Sequence, residues 1–461
     1  MKTTRERFSR GIRIAALLLA AVLGMGCTAC RSGGDNSAAD SAAETSGCTD
    51  GTGGTTTGTD GTETTAGTSV SVDRSAPTDE TTADSSGSPV TSEAGSQTTA
   101  ATKGTSGKTS ATKGTTAKTR TPDKTAVTAN NMLLCPHGIG GVSKSILKES
   151  VGYYDTDGEL VDFMFDSFAF TLTSDSFYDY EPGNPLKNMG KADWAPYMEA
   201  ELNSVANLDA LLTEAKAELK RPDYMAGVAL VILPVNTQVQ NWGVIDGKTM
   251  NLTKTADCER VLRWQIEEKI RTFKARKFRN VELVGFYVIN EDVHTAALRQ
   301  FTLYSNRVIH DNGLKAYWAP FHDETNKPWL EWKQLGFDEC ALQANYFSRN
   351  CNNCWKIERL DTTVRYVKQY GVGVEPEMLE ETYNAATFFK RYLKKYAENG
   401  VMESFKAWYV TGSPRGVSWL AKNRDSYVRS AYDEMYRFIK KTLDPQTVKI
   451  DPKVSEIPEG L

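Results

Sequence analysis

The chain has 461 residues, with 54 Lys and Arg against 58 Asp and Glu and a net charge of −4. It therefore lacks the basic surplus that marks a nucleic-acid-binding protein. Hydrophobic residues make up 40% of it but are unevenly spread, and they are concentrated in the last two-thirds of the chain, which is long enough to bury one large core.

Residues 1–27 read as an export signal. Lys2, Arg5, Arg7, Arg10 and Arg13 precede the apolar run Ile14 to Val22, which is too short and too rich in small residues for a comfortable membrane span. Leu23, Gly24, Met25 and Gly26 then lead into Cys27. This resembles a bacterial lipoprotein cleavage box, with its Leu four places before the cysteine rather than three. Cys27 is the expected lipid-attachment residue, and ordinary signal cleavage is the alternative. Either route puts the mature chain outside the cytoplasm, lipid-anchored at the cell membrane or secreted, and any membrane contact is through the anchor alone.

Residues 28–130 form a low-complexity linker. From Arg31 to Asn131 there is no Phe, Trp, Tyr, Leu, Ile or Met, and ATKGT occurs at 101 and again at 111. Such a stretch cannot bury enough apolar surface to offset the entropy of ordering, so it is expected to be a disordered tether. Gly107-Lys108-Thr109 is not a phosphate loop, because position 102 is Thr rather than Gly and no strand precedes it.

Residues 131–461 hold all 9 tryptophans and read as eight strands separated by helices. The strands are expected at 131–135, 162–170, 226–235, 281–289, 314–320, 340–346, 371–375 and 404–410. Helices are expected at 207–220, 256–278, 296–311, 359–370, 380–399 and 425–443, closing near turn signals such as Asn312-Gly313 and Asn399-Gly400. This alternation predicts an α/β fold, a TIM-like (β/α)8 barrel with long loops, and leaves an open α/β sheet as the structural alternative. The first strand carries the weakest signal.

Cys135, Cys258 and Cys340 read as small buried hydrophobes. Cys351 and Cys354 form a lone CxxC in a polar loop, suited to a local disulfide. No second CxxC or His pair stands at zinc spacing, so neither a metal nor a cofactor is expected. The chain also lacks a GxSxG elbow and an HExxH helix.

The runs VGFYVINED (284–292), KAYWAPFHDE (315–324), ALQANYF (341–347) and GVGVEPE (371–377) repeat one phrase: an apolar strand ending in polar or acidic residues. In parallel sheets, ligands sit at those carboxyl ends. Period-two alternation places Gly371, Gly373, Glu375 and Glu377 on one face of the seventh strand, with small residues leaving room below the acids. It places Gly285, Tyr287, Ile289 and Glu291 on one face of the fourth. Paired carboxylates over an aromatic-lined mouth are what glycoside hydrolysis needs. A single acid at a strand end is more often a loop ion pair or helix cap. His322 and Asp323 after the fifth strand, and Gln343, Asn345 and Tyr346 at the sixth, are candidate sugar contacts. Asn290 is a candidate for a 2-hydroxyl, and Trp318, Trp242 and Trp408 are candidates for stacking or for the core. His137 and Asp166 are expected to end the first two strands at the same mouth, and His294 and His310 to lie on helix surfaces.

The segment from about Asp162 to Glu377 resembles a bacterial family, the domain of unknown function numbered 4855, whose barrel is related to those of glycoside hydrolases. The likeness rests on FMFDSF (163–168), GFY followed by Asn290-Glu291, Trp318-Ala-Pro-Phe, LGFD (335–338), QANYF (343–347) and GVEPE (373–377). Val288 stands where Trp is expected, Ala344 where Pro is expected, and HDETN (322–326) where a Tyr-rich loop is expected. These departures bear on the sugar platform and the substrate, and leave the acids in place. The family brings no settled activity with it.

At the level of fold alone, the large group of retaining barrel glycosidases places an acid/base after an Asn at the end of strand four and a nucleophile at the end of strand seven. Asn290-Glu291 and Glu375 fall there. On that analogy Glu291 is the general acid/base with a raised pKa, Glu375 is the nucleophile and stays ionised, and Glu377 is a candidate substrate contact and the nucleophile's replacement if Pro376 bends the strand. The expectation is a glycoside hydrolase acting on an extracellular or cell-surface polysaccharide. The competing class is a non-catalytic carbohydrate-binding or cell-surface barrel. A solute-binding lipoprotein would instead need two comparable lobes.

Overall fold

The structure, a computed structural model, describes residues 127–172 and 189–455 apart from 234, 292, 294, 324–326, 347–353 and 355. The export signal, Cys27 and all but the last residues of the tether lie outside the described residues.

The apolar run after the tether forms β1 (Asn131–His137), followed by α1 (Lys144–Val151). A short antiparallel ribbon, β2 (Gly152–Tyr154) with β3 (Leu160–Phe163), comes next. β4 (Ser167–Leu172), α2 (Lys191–Glu218) and β5 (Ala226–Ile232) continue the barrel. A hairpin, β6 (Gly243–Ile245) and β7 (Lys248–Met250), precedes α3 (Thr255–Arg276). The remaining barrel strands are β8 (Val281–Val288), β9 (Lys315–Trp318), β10 (Glu339–Gln343) and β11 (Gly373–Glu375). They are separated by α4 (Ala296–Asp311) and α5 (Glu358–Tyr370). After a two-residue strand β12 (Glu377–Met378) come α6 (Tyr383–Glu398), β13 (Lys406–Val410), α7 (Arg415–Ala421) and α8 (Ser426–Ile439).

Eight parallel strands run β1-β4-β5-β8-β9-β10-β11-β13, and β1 pairs with β13 to close them into a barrel. The predicted TIM-like barrel therefore forms, with β1, the faintest strand in the sequence, pairing on both edges. Side-chain caps open three of the helices, and the expected turn signals close two of them. Thr295, Thr382 and Asp425 cap the starts of α4, α6 and α8 with their side chains. Gly313 and Gly400, just past the ends of α4 and α6, take φ values of 71° and 75°.

Two strands differ from expectation. The run 162–170 is not one strand, because the chain leaves the β2–β3 ribbon and enters β4 around Asp166. That carboxylate accepts the Asn131 backbone N–H at 2.9 Å, the Asn131 side-chain amide at 3.2 Å and the Ser167 hydroxyl at 2.9 Å. Asp166 thus ties together the amino ends of β1 and β4, the end of the barrel opposite the one expected for it. The seventh strand begins at Gly373 rather than Gly371, which instead closes α5 at φ 64°. Gly373 does not simply leave room: a Cβ there would overlap the Phe405 carbonyl, so its lack of a side chain lets β11 approach the chain entering β13. Gly285 meets the Lys315 carbonyl in the same way. It lies beside an irregularity at which Val228 pairs with Leu283 and Ala229 with Gly285, leaving Val284 as the extra residue of β8.

Helices are tied to the barrel by buried charge that the sequence does not announce. Lys269 on α3 donates to Glu201 on α2 at 2.6 Å and to the Val231 carbonyl at 2.7 Å, while Glu201 accepts the Val231 N–H at 2.8 Å. Both side chains are almost fully buried. Removing one partner strands the other charge without water. Lys269→Met is expected to cost about 3–5 kcal/mol in urea unfolding. Lys144→Met, in the exposed pair with Glu214, is expected to cost less than about 1 kcal/mol.

Candidate functional site

Three glutamates meet at the carboxyl ends of the fourth and seventh barrel strands. Glu375 is the last residue of β11, in register with Gln343 of β10. Pro376 interrupts the strand, and its carbonyl accepts the Tyr409 N–H of β13 at 3.2 Å. Glu377 follows, also turned inward, and the two acids are 3% and 4% exposed. Glu291 sits in the open turn after β8, close enough that its negative charge acts on both.

The two buried acids are held differently. Glu377 Oε2 accepts the Asn345 N–H at 2.6 Å and the Tyr392 hydroxyl at 2.9 Å, and its Oε1 lies 3.4 Å from the Asn345 amide nitrogen. Tyr392, fully buried on α6, also accepts the Tyr346 N–H at 2.7 Å. Asn345 adopts φ 48°, a left-handed conformation uncommon outside glycine, and this turns its N–H onto the acid. Among the described residues Glu375 has no such donors, and its Oε2 is buried without a hydrogen-bond partner.

Burial raises both carboxyls, because an ion loses its water there. Glu377 is pushed up to about 7 by burial and by the charge of Glu291, against the pull of Tyr392, Asn345 and the Arg359 guanidinium. Glu375 is pushed well above its ordinary value by burial first and then by Glu377 and Glu291. The expectation that Glu375 stays ionised therefore meets surroundings that favour its protonated form. Tyr409, beside the pair on β13, is also raised by burial and by the charge of Glu375.

The other candidates serve the frame more than the mouth. Trp318 is fully buried, stacked on Phe337 with ring centres 4.6 Å apart, and donates its indole N–H to the Asn290 carbonyl at 2.6 Å. It offers no face to a sugar, and it fixes the turn that carries Asn290 and Glu291. Trp242 and Trp408 are equally buried, among Trp194 and Trp264 and among Phe165, Phe389 and Phe438 respectively. Gln343 is turned to the Ala319 carbonyl at 3.0 Å, and Tyr346 is in the core. His322 packs against Trp329 and Tyr366 and bonds through Nδ1 to Asp323 at 2.8 Å. Burial lowers its pKa. Asp323 holds Arg359 Nη1 at 2.9 Å, and despite partial burial His322 and Arg359 bring its pKa down to about 2. The His322–Asp323 pair thus braces Arg359, whose charge reaches Glu377.

Arg359, Tyr392 and Tyr409 were not singled out in the sequence. Arg359 carried one sign: a cation in the first turn of a helix opposes the helix dipole and needs another partner. His137 does end β1 and is buried, with Nδ1 bonded to the Gly138 carbonyl, but the charges acting on it are Glu201 and Lys269. His310 pairs with Asp338 at the surface, and His294 lies outside the described residues. Cys135, Cys258 and Cys340 are free and buried. Cys354 is disulfide-bonded, while Cys351 lies outside the described residues.

A family model described as Domain of unknown function (DUF4855) matches residues 131–437. No curated protein matches the chain. Among solved structures, tryptophan synthase from M. tuberculosis in its aminoacrylate-bound form is 12% identical at TM-score 0.31, over 68% of this chain and 93% of that one. A GH5-4 broad specificity endoglucanase from Clostridium longisporum is 12% identical at TM-score 0.35, over 59% and 82%. An exo-β-1,4-mannosidase from Opitutaceae bacterium strain TAV5 is 11% identical at TM-score 0.34, over 68% and 57%. At these scores the likenesses say nothing about the chemistry of the site.

The acid pair has a signature in stability. An acid with a folded-state pKa above its unfolded one stabilises fully below the unfolded value, and that contribution is lost as pH rises through the folded value. For Glu377 the window runs from 4.5 to about 7, and Glu375 extends it upward. The buried histidines, held below their ordinary value, contribute the opposite slope and are common to both proteins compared. In thermal melts followed by circular dichroism between pH 5 and 8, a Glu375→Gln/Glu377→Gln variant is expected to gain stability relative to the parent as pH rises.

Proposed function

We propose that this chain, which belongs to the DUF4855 family, is a glycoside hydrolase that cuts an extracellular or cell-surface polysaccharide with Glu291 and Glu375 as its two carboxyl groups. One observation carries the reading: on the rim where barrel enzymes work, a buried acid with an unpartnered oxygen lies within the electrostatic reach of an exposed one.

The burial of Glu375 and the exposure of Glu291 support roles opposite to those drawn from the fold-level analogy. Glu375, whose burial favours the proton-bearing form, gives its proton to the glycosidic oxygen as the C1–O bond breaks. Glu291, exposed to solvent, acts from the other side of the sugar ring. It either takes a proton from the water that adds to C1 or attacks C1 itself. A carboxyl separation of about 6.5–9.5 Å corresponds to the first course and inversion, and about 5–5.5 Å to the second and retention. Asn290 stands beside Glu291 for a ring hydroxyl. Export, with Cys27 as lipid anchor, would set the barrel at the cell surface on its low-complexity tether.

The full-length chain is expected to release reducing ends from at least one member of a panel of bacterial and plant polysaccharides. Glu291→Gln and Glu375→Gln are each expected to lower kcat/KM by about 10²–10⁴-fold. Turnover that persists in both variants would remove these acids from the reaction. Saturable binding without any release would favour the non-catalytic barrel. Metabolic labelling with radioactive palmitate is expected to mark the parent chain and to be lost in Cys27→Ala.

A further inference from the structure

We infer that Glu377 is a positioning residue rather than a sugar contact, serving as the resident anion that leaves the proton of the acid pair on Glu375. The inference rests on the proposed hydrolase only for its use in catalysis; the distribution of charge within the pair stands without it.

The geometry distinguishes two carboxyls that differ by only two positions in the chain. Both flank Pro376 and face inward, and both are nearly inaccessible to solvent. Two like charges that act on each other in a poorly solvated site do not both ionise readily, so as pH rises past about 7 the pair takes on one negative charge well before a second. That charge settles where donors are fixed. Glu377 has the Asn345 N–H, the Asn345 amide and the Tyr392 hydroxyl. It also has the field of Arg359, itself anchored by Asp323 and by the Ala344 carbonyl.

Around Glu375 the ionisable groups whose charge couples with it are Glu377 from β12, Glu291 from the turn after β8, Tyr409 from β13 and Tyr396 from α6. None of these is a cation. The left-handed backbone at Asn345 makes the same point: a strained residue spends its N–H on Glu377, whose Oε2 is tied to the protein by that donor and by the Tyr392 hydroxyl. Glu375 Oε2, by contrast, is buried with nothing to bond.

The consequence for catalysis is a cycle. Glu375 gives up its proton with the leaving group, and for that moment two negative charges stand side by side. Their repulsion favours the return of a proton to Glu375, from the incoming water in the retaining course and from solvent in the inverting course, where Glu291 takes the proton of the incoming water. Glu377 neither gains nor loses a proton in the cycle and does not touch the substrate.

The test reads protonation directly. Full-length chain carrying ¹³C-carboxyl glutamate is titrated by NMR without substrate, with the two resonances assigned through Glu375→Gln and Glu377→Gln. In the parent, Glu377 is expected to ionise at lower pH than Glu375. In Glu377→Gln, the Glu375 midpoint is expected to fall by about 1 unit or more, because the neighbouring charge is gone. Tyr392→Phe keeps that charge but removes one donor, and is expected to raise the Glu377 midpoint and narrow the gap. It provides the decision if Glu377→Gln does not fold. The inference is overturned if Glu375 ionises first in the parent, if its midpoint is unmoved in Glu377→Gln, or if the gap is unchanged in Tyr392→Phe. A parent chain inactive on every polysaccharide but showing these shifts would sink the hydrolase and leave the acid pair standing.

Discussion

β1 hydrogen-bonds along both its edges, to β4 and to β13, and that double pairing converts a row of parallel strands into a barrel. Its amino end is secured twice more. Asp166 takes the Asn131 backbone and side-chain N–H groups, and the Asn130 carbonyl accepts the Lys406 N–H at 2.8 Å. Everything at the other end depends on this closure. In an open sheet β8 and β11 would share no mouth, whereas in the barrel Glu291, Glu375 and Glu377 feel one another's charge.

The barrel is tightened where backbones approach closely. Gly285 and Gly373 both stand against carbonyls of adjoining strands, with no space for a Cβ, and both lie a few residues before the site acids. The same segments thus serve closure at one point and carry the candidate acids a few residues later. Pro376 completes the arrangement. Lacking an N–H, it ends the β11 ladder between two inward-facing acids, and its carbonyl still bonds to β13.

Buried charge in this molecule follows two designs. Between α2 and α3, Glu201 and Lys269 neutralise each other and satisfy the Val231 backbone, an arrangement that binds helices to a strand. At the mouth no cation among the described residues hydrogen-bonds to Glu375 or Glu377, and burial raises both their pKa values. The first design spends its charges on structure. The second keeps an acid in a form it would not hold in water at neutral pH.

The sequence by itself determined the alternation, the eight strands, most of the helices and the three acids at strand ends. These depend on local periodicity and turn chemistry: Ala296–Asp311 has the predicted bounds, and Gly313 and Gly400 close helices where expected. It misread the run around Asp166, because FMFDSFAF is apolar on both sides of Asp166-Ser167 and only pairing partners show that it changes sheets there. It also left the tryptophans open between stacking platform and core, which burial alone decides. Tertiary structure decided the difference between Glu375 and Glu377. Two glutamates of the same parity are equivalent in sequence, but Asn345, Tyr392 and Arg359 come from other strands and helices and converge on one of them only. Periodicity fixes which way a side chain points; where a proton resides is set by neighbours that only the closed barrel brings together.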